Sequence, residues 1–148
     1  MINTVKEYVT ITIAVCISIL IALACAQGSL IVGEYPVLFI CLFISFVTQW
    51  IVFLPSYSFN TERFYDLTGS ITYIIVILTA LYHKSNFIGH RSDLRSLLIA
   101  VFILVWALRL GSFLFLRILK DTEDRRFSEW KNSFPMFLRV WTLQGLWV

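Results

Sequence analysis

The chain has 148 residues, of which 59% are hydrophobic and only 14% are charged, and its mean hydropathy is +0.82. This composition differs from that of a soluble globular domain and predicts an integral membrane protein. The formal net charge of +3 comes mostly from clustered loop residues, so it indicates membrane orientation and contact with anionic head groups rather than nucleic-acid binding.

Four stretches are long and apolar enough to cross a membrane, since about 20 apolar residues in a helix span about 30 Å of hydrocarbon. They cover residues 8–26, 36–54, 67–82 and 97–116. Each must be helical, because a lipid-exposed strand would leave backbone groups unpaired. A signal peptide is the alternative for the first stretch, which follows Lys6 and ends in Ala24-Cys25-Ala26, although its apolar run exceeds the roughly 7 to 15 residues of such peptides.

The last segment, residues 134–148, is apolar and aromatic but shorter than the roughly 20 residues that a span requires. A re-entrant or interfacial segment is one interpretation, and a helix cut short is the other. We predict an all-α, polytopic membrane helical bundle with four full transmembrane helices and a truncated fifth. On this interpretation residues 1–148 form a single membrane domain, the N-terminal part of a longer one.

The distribution of lysine and arginine between alternate loops predicts the orientation. One side carries Lys6, Arg63, Arg117, Lys120, Arg125, Arg126 and Lys131, and the other carries Lys84, Arg91 and Arg95. The N-terminus should therefore be cytoplasmic. The loops near Arg63 and after Arg117 would then face soluble nucleotide cofactors.

The segment before the third predicted span places two carboxylates and a phenol at helical spacing. If it is helical, Glu62, Asp66, Gly69 and Tyr73 lie on one face. A carboxylate near a phenol in a dry site can polarise a substrate carbonyl, so Glu62, Asp66 and Tyr73 are candidate catalytic residues. The alternative is an ordinary juxtamembrane turn in which Asp66 or Asn60 caps the helix.

Two arginines interrupt the fourth predicted span. Arg109 lies well inside it, where a central arginine costs about 2.5 to 3.5 kcal/mol, so we expect it to face a polar partner in the bundle interior. Trp106 and Phe113 can flank its guanidinium. Arg117 lies nearer the end and can reach the membrane surface as an anchor.

A block of mixed charge, KDTEDRRFSEW, follows the fourth span. The i, i+4 spacing allows Lys120 to pair with Asp124 and Asp121 to pair with Arg125. The planar guanidinium groups of Arg125 and Arg126, beside Asp124, suit phosphate groups. Taken alone, the block is also typical of a solvated loop.

Three stretches, NTERFYDLTGS, WALRLGSFLFLRILKDTEDRRFSEW and WTLQGLWV, resemble an integral membrane family called domain of unknown function 1295, related to the steroid 5-alpha reductases. They cover most of the chain from Asn60 onward. The resemblance implies a multi-span bundle whose relatives reduce a carbon–carbon double bond with NADPH from the cytoplasmic side. The residues expected to contact NADPH are Arg109, Arg117, Asp124, Arg125 and Arg126. Gln49, Glu62, Asp66 and Tyr73 are catalytic candidates by their chemistry, because the reductases' motif does not align here.

The function expected from this resemblance is reduction of a lipid-like substrate, a sterol or an enone, by an enzyme embedded in the bilayer. The family's C-terminal half carries further nucleotide-contacting residues, so we expect this chain to bind little NADPH alone. An isoprenylcysteine-type methyltransferase using S-adenosylmethionine is one alternative, and a non-catalytic truncated membrane protein is another. A metal site is not expected, since Cys16, Cys25 and Cys41 form no CxxC pair and only His83 and His90 are present.

Overall fold

A computed structural model of the chain describes residues 2–87, 94–121 and 127–148, with the side chains of residues 4–86, 94–120 and 127–148. The described residues form five helices, namely α1 Ile2–Cys25, α2 Val37–Ser58, α3 Tyr65–Phe87, α4 Leu94–Asp121 and α5 Phe134–Trp147. Two short antiparallel strands, β1 Ile31–Val32 and β2 Tyr35–Pro36, form a hairpin between α1 and α2.

Four of these helices are long and apolar enough to cross a membrane. The spans are Thr4–Cys25, Val37–Ser58, Tyr65–Asn86 and Leu94–Lys120, which correspond to the four stretches predicted from hydropathy. Helix α5 has 14 residues and is about 21 Å long, shorter than the hydrocarbon core. The predicted all-α, multi-pass membrane bundle is therefore confirmed.

Helices α2 and α3 lie in the middle of the arrangement. Helix α3 packs against α4 and α2, and α5 packs against α1 and α2. The end of the bundle that holds the α2–α3 connection is called here the α2–α3 end, and the opposite end is called the hairpin end. An aromatic cluster fills the α2–α3 end around five buried residues, Phe53, Phe127, Phe137, Val140 and Trp141.

The contact between α3 and α4 depends on a glycine. Gly111 of α4 is buried against Ser70 of α3, and a Cβ added to Gly111 would lie 2.6 Å from the Cβ of Ser70. Small residues let membrane helices approach closely, and close packing is a main source of their association in lipid. The opposite face of α4 exposes large apolar side chains such as Phe102 and Phe113, as expected for contact with lipid.

Candidate functional site

Glu62 forms a buried ion pair at the α2–α3 end. It lies in the connection before α3, which begins at Tyr65, and only 5% of its surface is exposed. Its Oε2 lies 3.4 Å from Nζ of Lys131, whose side chain is also mostly buried. Lys131 belongs to the connection before α5, so the ion pair joins the two connections that close this end of the bundle.

Asp66 forms a second and more exposed ion pair at the same end. It lies in the first turn of α3, where the helix dipole favours negative charge. Its Oδ2 lies 3.9 Å from a terminal nitrogen of Arg117, near the end of α4. The Arg117 side chain is 41% exposed, so this pair adds little stability. The contact with Asp66 does hold the Arg117 guanidinium at the edge of the bundle.

Tyr73, the third predicted catalytic residue, lies about 10 Å further along α3 than Asp66. Its hydroxyl donates a hydrogen bond to the backbone oxygen of Trp147 at 2.7 Å. Its ring meets Trp106 of α4 edge-on, with 5.1 Å between the ring centroids. Tyr73 therefore lies where α3, α4 and the end of α5 meet.

We predicted that Glu62, Asp66 and Tyr73 lie on one face of a helix, and for Glu62 this prediction is wrong. Asn60 takes a left-handed conformation with φ of 51°, and the chain enters α3 only at Tyr65, so Glu62 is outside the helix. The three side chains also have different neighbours, namely Lys131, Arg117 and Trp147. Their catalytic roles stay predictions.

Arg109 is exposed, contrary to the expectation that it faces the bundle interior. Helix α4 buries Ala107 and Gly111, each two positions away, and two positions correspond to about 200° around a helix. Arg109 therefore lies on the face opposite α3. Among the residues that the structure describes, no carboxylate forms an ion pair with it.

An open groove of about 520 Å³ runs along this outer face of α4. Its described lining residues all belong to α4 and are Trp106, Arg109, Leu110, Ser112, Phe113 and Leu116. Arg117, the next predicted cofactor contact, is eight residues beyond Arg109, about 12 Å along the helix. The other three predicted contacts, Asp124, Arg125 and Arg126, lie outside the described residues.

A polar layer crosses the apolar interior of the bundle, and we define it by Gln49, Thr72 and Gln144. Gln49 of α2 is fully buried, and its Nε2 donates to Oγ1 of Thr72 at 3.0 Å. Thr72 donates its own proton to the Thr68 carbonyl at 2.7 Å, so it must accept from the Gln49 nitrogen. This fixes the amide orientation and leaves Oε1 of Gln49 buried without a hydrogen bond among the described residues.

Gln144 of α5 contributes a second acceptor to this layer. Its Nε2 donates to the Tyr65 carbonyl at 3.1 Å, and its Oε1 is buried without a hydrogen bond among the described residues. The side chain fits because α3 has a glycine opposite it, since a Cβ on Gly69 would overlap the Gln144 amide. The sequence contains one sign of this layer, which is the amide side chain of Gln49 within an otherwise apolar span.

A further ion pair, between Glu7 and Arg139, is absent from the sequence-based predictions. Oε2 of Glu7 on α1 lies 2.6 Å from Nη1 of Arg139 on α5, although the contact lacks the geometry of a hydrogen bond. Glu7 is only 8% exposed, and the Arg139 guanidinium lies 5.8 Å from the ring centroid of Trp130. Glu7 is the one acidic residue of α1 and Arg139 is the one charged residue of α5, and these charges in apolar helices are the signal that could have revealed the pair.

Residues 52–148 match the family model described as protein of unknown function (DUF1295). The chain belongs to this family. The matched region contains the end of α2 and all of α3, α4 and α5, which confirms the resemblance to domain of unknown function 1295. The relation to the steroid 5-alpha reductases stays a prediction. It includes Arg109 and three of the four catalytic candidates, but not the fourth, Gln49, and not Glu7. Comparison with curated proteins and with solved structures gives no match.

Proposed function

We propose that this chain is part of a membrane-embedded reductase that uses NADPH to reduce a lipid-like substrate, a sterol or an enone. The observation that carries the proposal is the position of Arg109, a charged side chain near the middle of a span and in a groove. A central arginine exposed to lipid costs about 2.5 to 3.5 kcal/mol, so an anionic or strongly polar group is expected to cover it.

The chemistry of the groove suits a dinucleotide. Trp106 and Phe113 provide aromatic surface beside the guanidinium, and the volume of about 520 Å³ is within the usual range for ligand sites. Arg117 adds a second planar donor about 12 Å away, oriented by Asp66. Two guanidinium groups along one helix can contact the phosphates of an extended ligand, and an additional 2′-phosphate favours NADPH over NADH. The described residues supply one wall of the site.

NADPH, when bound, would supply the hydride, and the protein must supply a proton to the other carbon of the double bond. Tyr73 is the best placed of the three candidates, because its ring contacts Trp106, which lines the groove. In this structure its one hydroxyl proton is donated to the Trp147 carbonyl, so that hydrogen bond must break before the proton can pass to the substrate carbon and leave a phenolate to be reprotonated from water. Asp66 acts instead by orienting Arg117, and Glu62 by joining the connection at Lys131.

S-adenosylmethionine fits the groove less well, because its sulfonium is positively charged and would lie near Arg109. Binding measurements decide between the two cofactors. We expect a purified family member that extends beyond position 148 to bind NADPH more tightly than NADH or S-adenosylmethionine, and this chain alone to bind it weakly. Selective binding of S-adenosylmethionine would replace the reductase by a methyltransferase.

Three variants, each of which removes one arginine, test whether NADPH binds in the groove. Arg109→Leu and Arg117→Leu should each weaken NADPH binding and reduce its salt dependence, since each removes a phosphate donor. Arg95→Leu, on the first turn of α4 at the hairpin end, is the matched control and should leave binding unchanged. Equal losses in all three variants would contradict the proposed site.

The proposal also requires the α2–α3 end to face the cytoplasm, where NADPH is found. Single cysteines introduced into a cysteine-free protein test this, with Ser128→Cys at the α2–α3 end and Glu34→Cys in the hairpin. We expect a membrane-impermeant thiol reagent added from the cytoplasmic side to label position 128 and not position 34.

A further inference from the structure

A cavity of about 330 Å³ lies among α1, α2, α3 and the last residues of α5, in the half of the bundle towards the hairpin end. None of its described lining residues belongs to α4, whose outer face carries the proposed cofactor groove. The cavity is therefore separate from that groove, and the proposed reduction gives it no role.

The described walls of the cavity are apolar. They carry no charged side chain and are mainly small or aliphatic, as at Ala22, Leu42 and Ala80. Their two hydroxyl groups, on Ser18 and Ser45, donate to backbone carbonyls one turn earlier in their own helices, at 2.8 and 3.0 Å. A buried water molecule needs several polar partners, and a charged ligand needs a group that neutralises it. The walls therefore favour a hydrocarbon occupant.

The cavity opens sideways between α1 and α2. Two of its lining residues on α1, Ile21 and Cys25, are exposed, and α1 packs mainly against α5 and makes less contact with α2. Both residues belong to the membrane span Thr4–Cys25. The opening therefore faces the lipid of the leaflet at the hairpin end.

The cavity extends along the helices that form it. On α1 its lining runs from Cys25, the last residue of the span, to Ser18, and on α2 from Leu38, the second residue of the span, to Ser45. Each pair is seven residues apart, which corresponds to about 10 Å of helix. The cavity thus begins near the membrane surface and leads towards the middle of the bilayer, which is the direction that a lipid acyl chain takes.

We propose that this cavity binds one acyl chain of a membrane phospholipid, which enters between α1 and α2 from the leaflet at the hairpin end. The head group stays at the membrane surface, since the described walls offer it no charged partner. The acyl chain supplies dispersion contacts that α1 and α2 do not make with each other, and so it stabilises the attachment of α1. This binding requires neither NADPH nor turnover.

Native mass spectrometry tests the binding on the purified chain. After transfer from phosphatidylcholine nanodiscs into detergent, we expect the unaltered protein to retain one phospholipid. Cys25→Trp places a large side chain at the opening and should reduce the retained fraction about tenfold. Cys16→Trp is the matched control, because Cys16 is exposed on the same helix and does not line the cavity, and it should retain as much as the unaltered protein. Equal retention by the two variants would overturn the proposal.

A photoreactive phosphatidylcholine locates the chain without any variant. With a diazirine towards the end of one acyl chain, the probe should label the unaltered protein near Ser18 and Ser45, which are buried and out of reach of lipid that surrounds the bundle. Labelling confined to exposed side chains such as Phe43, as expected if another helix occupies the cavity, contradicts the proposal.

Thermal unfolding measures the effect of the bound lipid on stability and confirms that each variant is folded. Added phosphatidylcholine should raise the unfolding temperature of the unaltered protein and of Cys16→Trp, because a ligand of the folded state stabilises it, and it should raise that of Cys25→Trp much less. An equal rise in all three proteins would show that the lipid acts on the outer surface of the bundle and not in the cavity.

Discussion

Charged side chains have different surroundings in two parts of the molecule. One part is the bundle of α1, α2, α3 and α5, and the other is the outer helix α4. The carboxylates of Glu7, on α1, and of Glu62, in the connection before α3, are each paired with a basic residue from α5 or the connection before it. Helix α4 packs along α3 and leaves Arg109 on its outer face without a carboxylate partner among the described residues. The pairing shows that these two carboxylates are neutralised by other parts of the described chain, whereas the exposed guanidinium of Arg109 indicates a surface that another group covers.

The largest expected effect concerns Arg109. Because its side chain has no pairing to lose in the described bundle, Arg109→Leu should make membrane insertion of α4 more favourable by about 2.5 to 3.5 kcal/mol. A glycosylation assay of insertion measures this change. Arg117→Leu is the matched control and should have a smaller effect, since Arg117 lies near the helix end and reaches the surface. Impaired insertion of Arg109→Leu would show that Arg109 has a stabilising partner.

Substitutions in the pair of Glu7 and Arg139 should destabilise the protein, whereas Arg109→Leu should favour its insertion. Glu7→Leu or Arg139→Leu leaves one charge without its partner, and we expect each to lower the free energy of unfolding by about 2 kcal/mol. This is less than for a fully buried pair, because the Arg139 side chain is 24% exposed. The double variant should be close to the unaltered protein, as measured by reversible unfolding in mixed micelles. Additive losses would show that the two charges do not interact.

The fold could be predicted from the sequence because lipid imposes a strong constraint. A helix is the simplest way to satisfy every backbone group in hydrocarbon, so hydropathy alone located the four spans. The exact ends were harder to predict. Helix α4 continues to Asp121, five residues beyond its predicted end, because helical hydrogen bonds continue into polar residues once the chain leaves the apolar layer.

The site was harder to predict, because it depends on how helices pack. Spacing placed Glu62, Asp66 and Tyr73 on one stripe, but it could not show that the turn at Asn60 delays the start of α3. The cost of a buried charge suggested an interior Arg109, but the face that α4 buries is decided by Gly111 against Ser70. The pair of Glu7 and Arg139 requires contact between helices that are distant in sequence.

The close approach of α3 and α4 gives a third prediction. Gly111→Ala places a methyl group too near Ser70, so we expect a loss of about 1 to 2 kcal/mol in the free energy of unfolding. Ser70→Gly removes the opposing Cβ and should restore most of this loss in the double variant. If the double variant is as unstable as Gly111→Ala alone, the contact between the two helices is not the cause.

The smallest expected effects concern the two ion pairs at the α2–α3 end. Comparing them tests whether burial or charge determines how much each pair contributes to the free energy of unfolding. Glu62→Gln should lower the free energy of unfolding by about 1 kcal/mol, because Glu62 and Lys131 are both largely buried. Asp66→Asn should change it by less than about 0.5 kcal/mol, because Arg117 remains solvated. Both substitutions keep the shape of the side chain, so each isolates the charge.

Urea-induced unfolding at low and high salt measures the two changes, and salt should reduce only the effect of Asp66→Asn, since screening is weak for buried pairs. A larger loss for Asp66→Asn would mean that the rim of α4, rather than the junction of the connections, holds this end together.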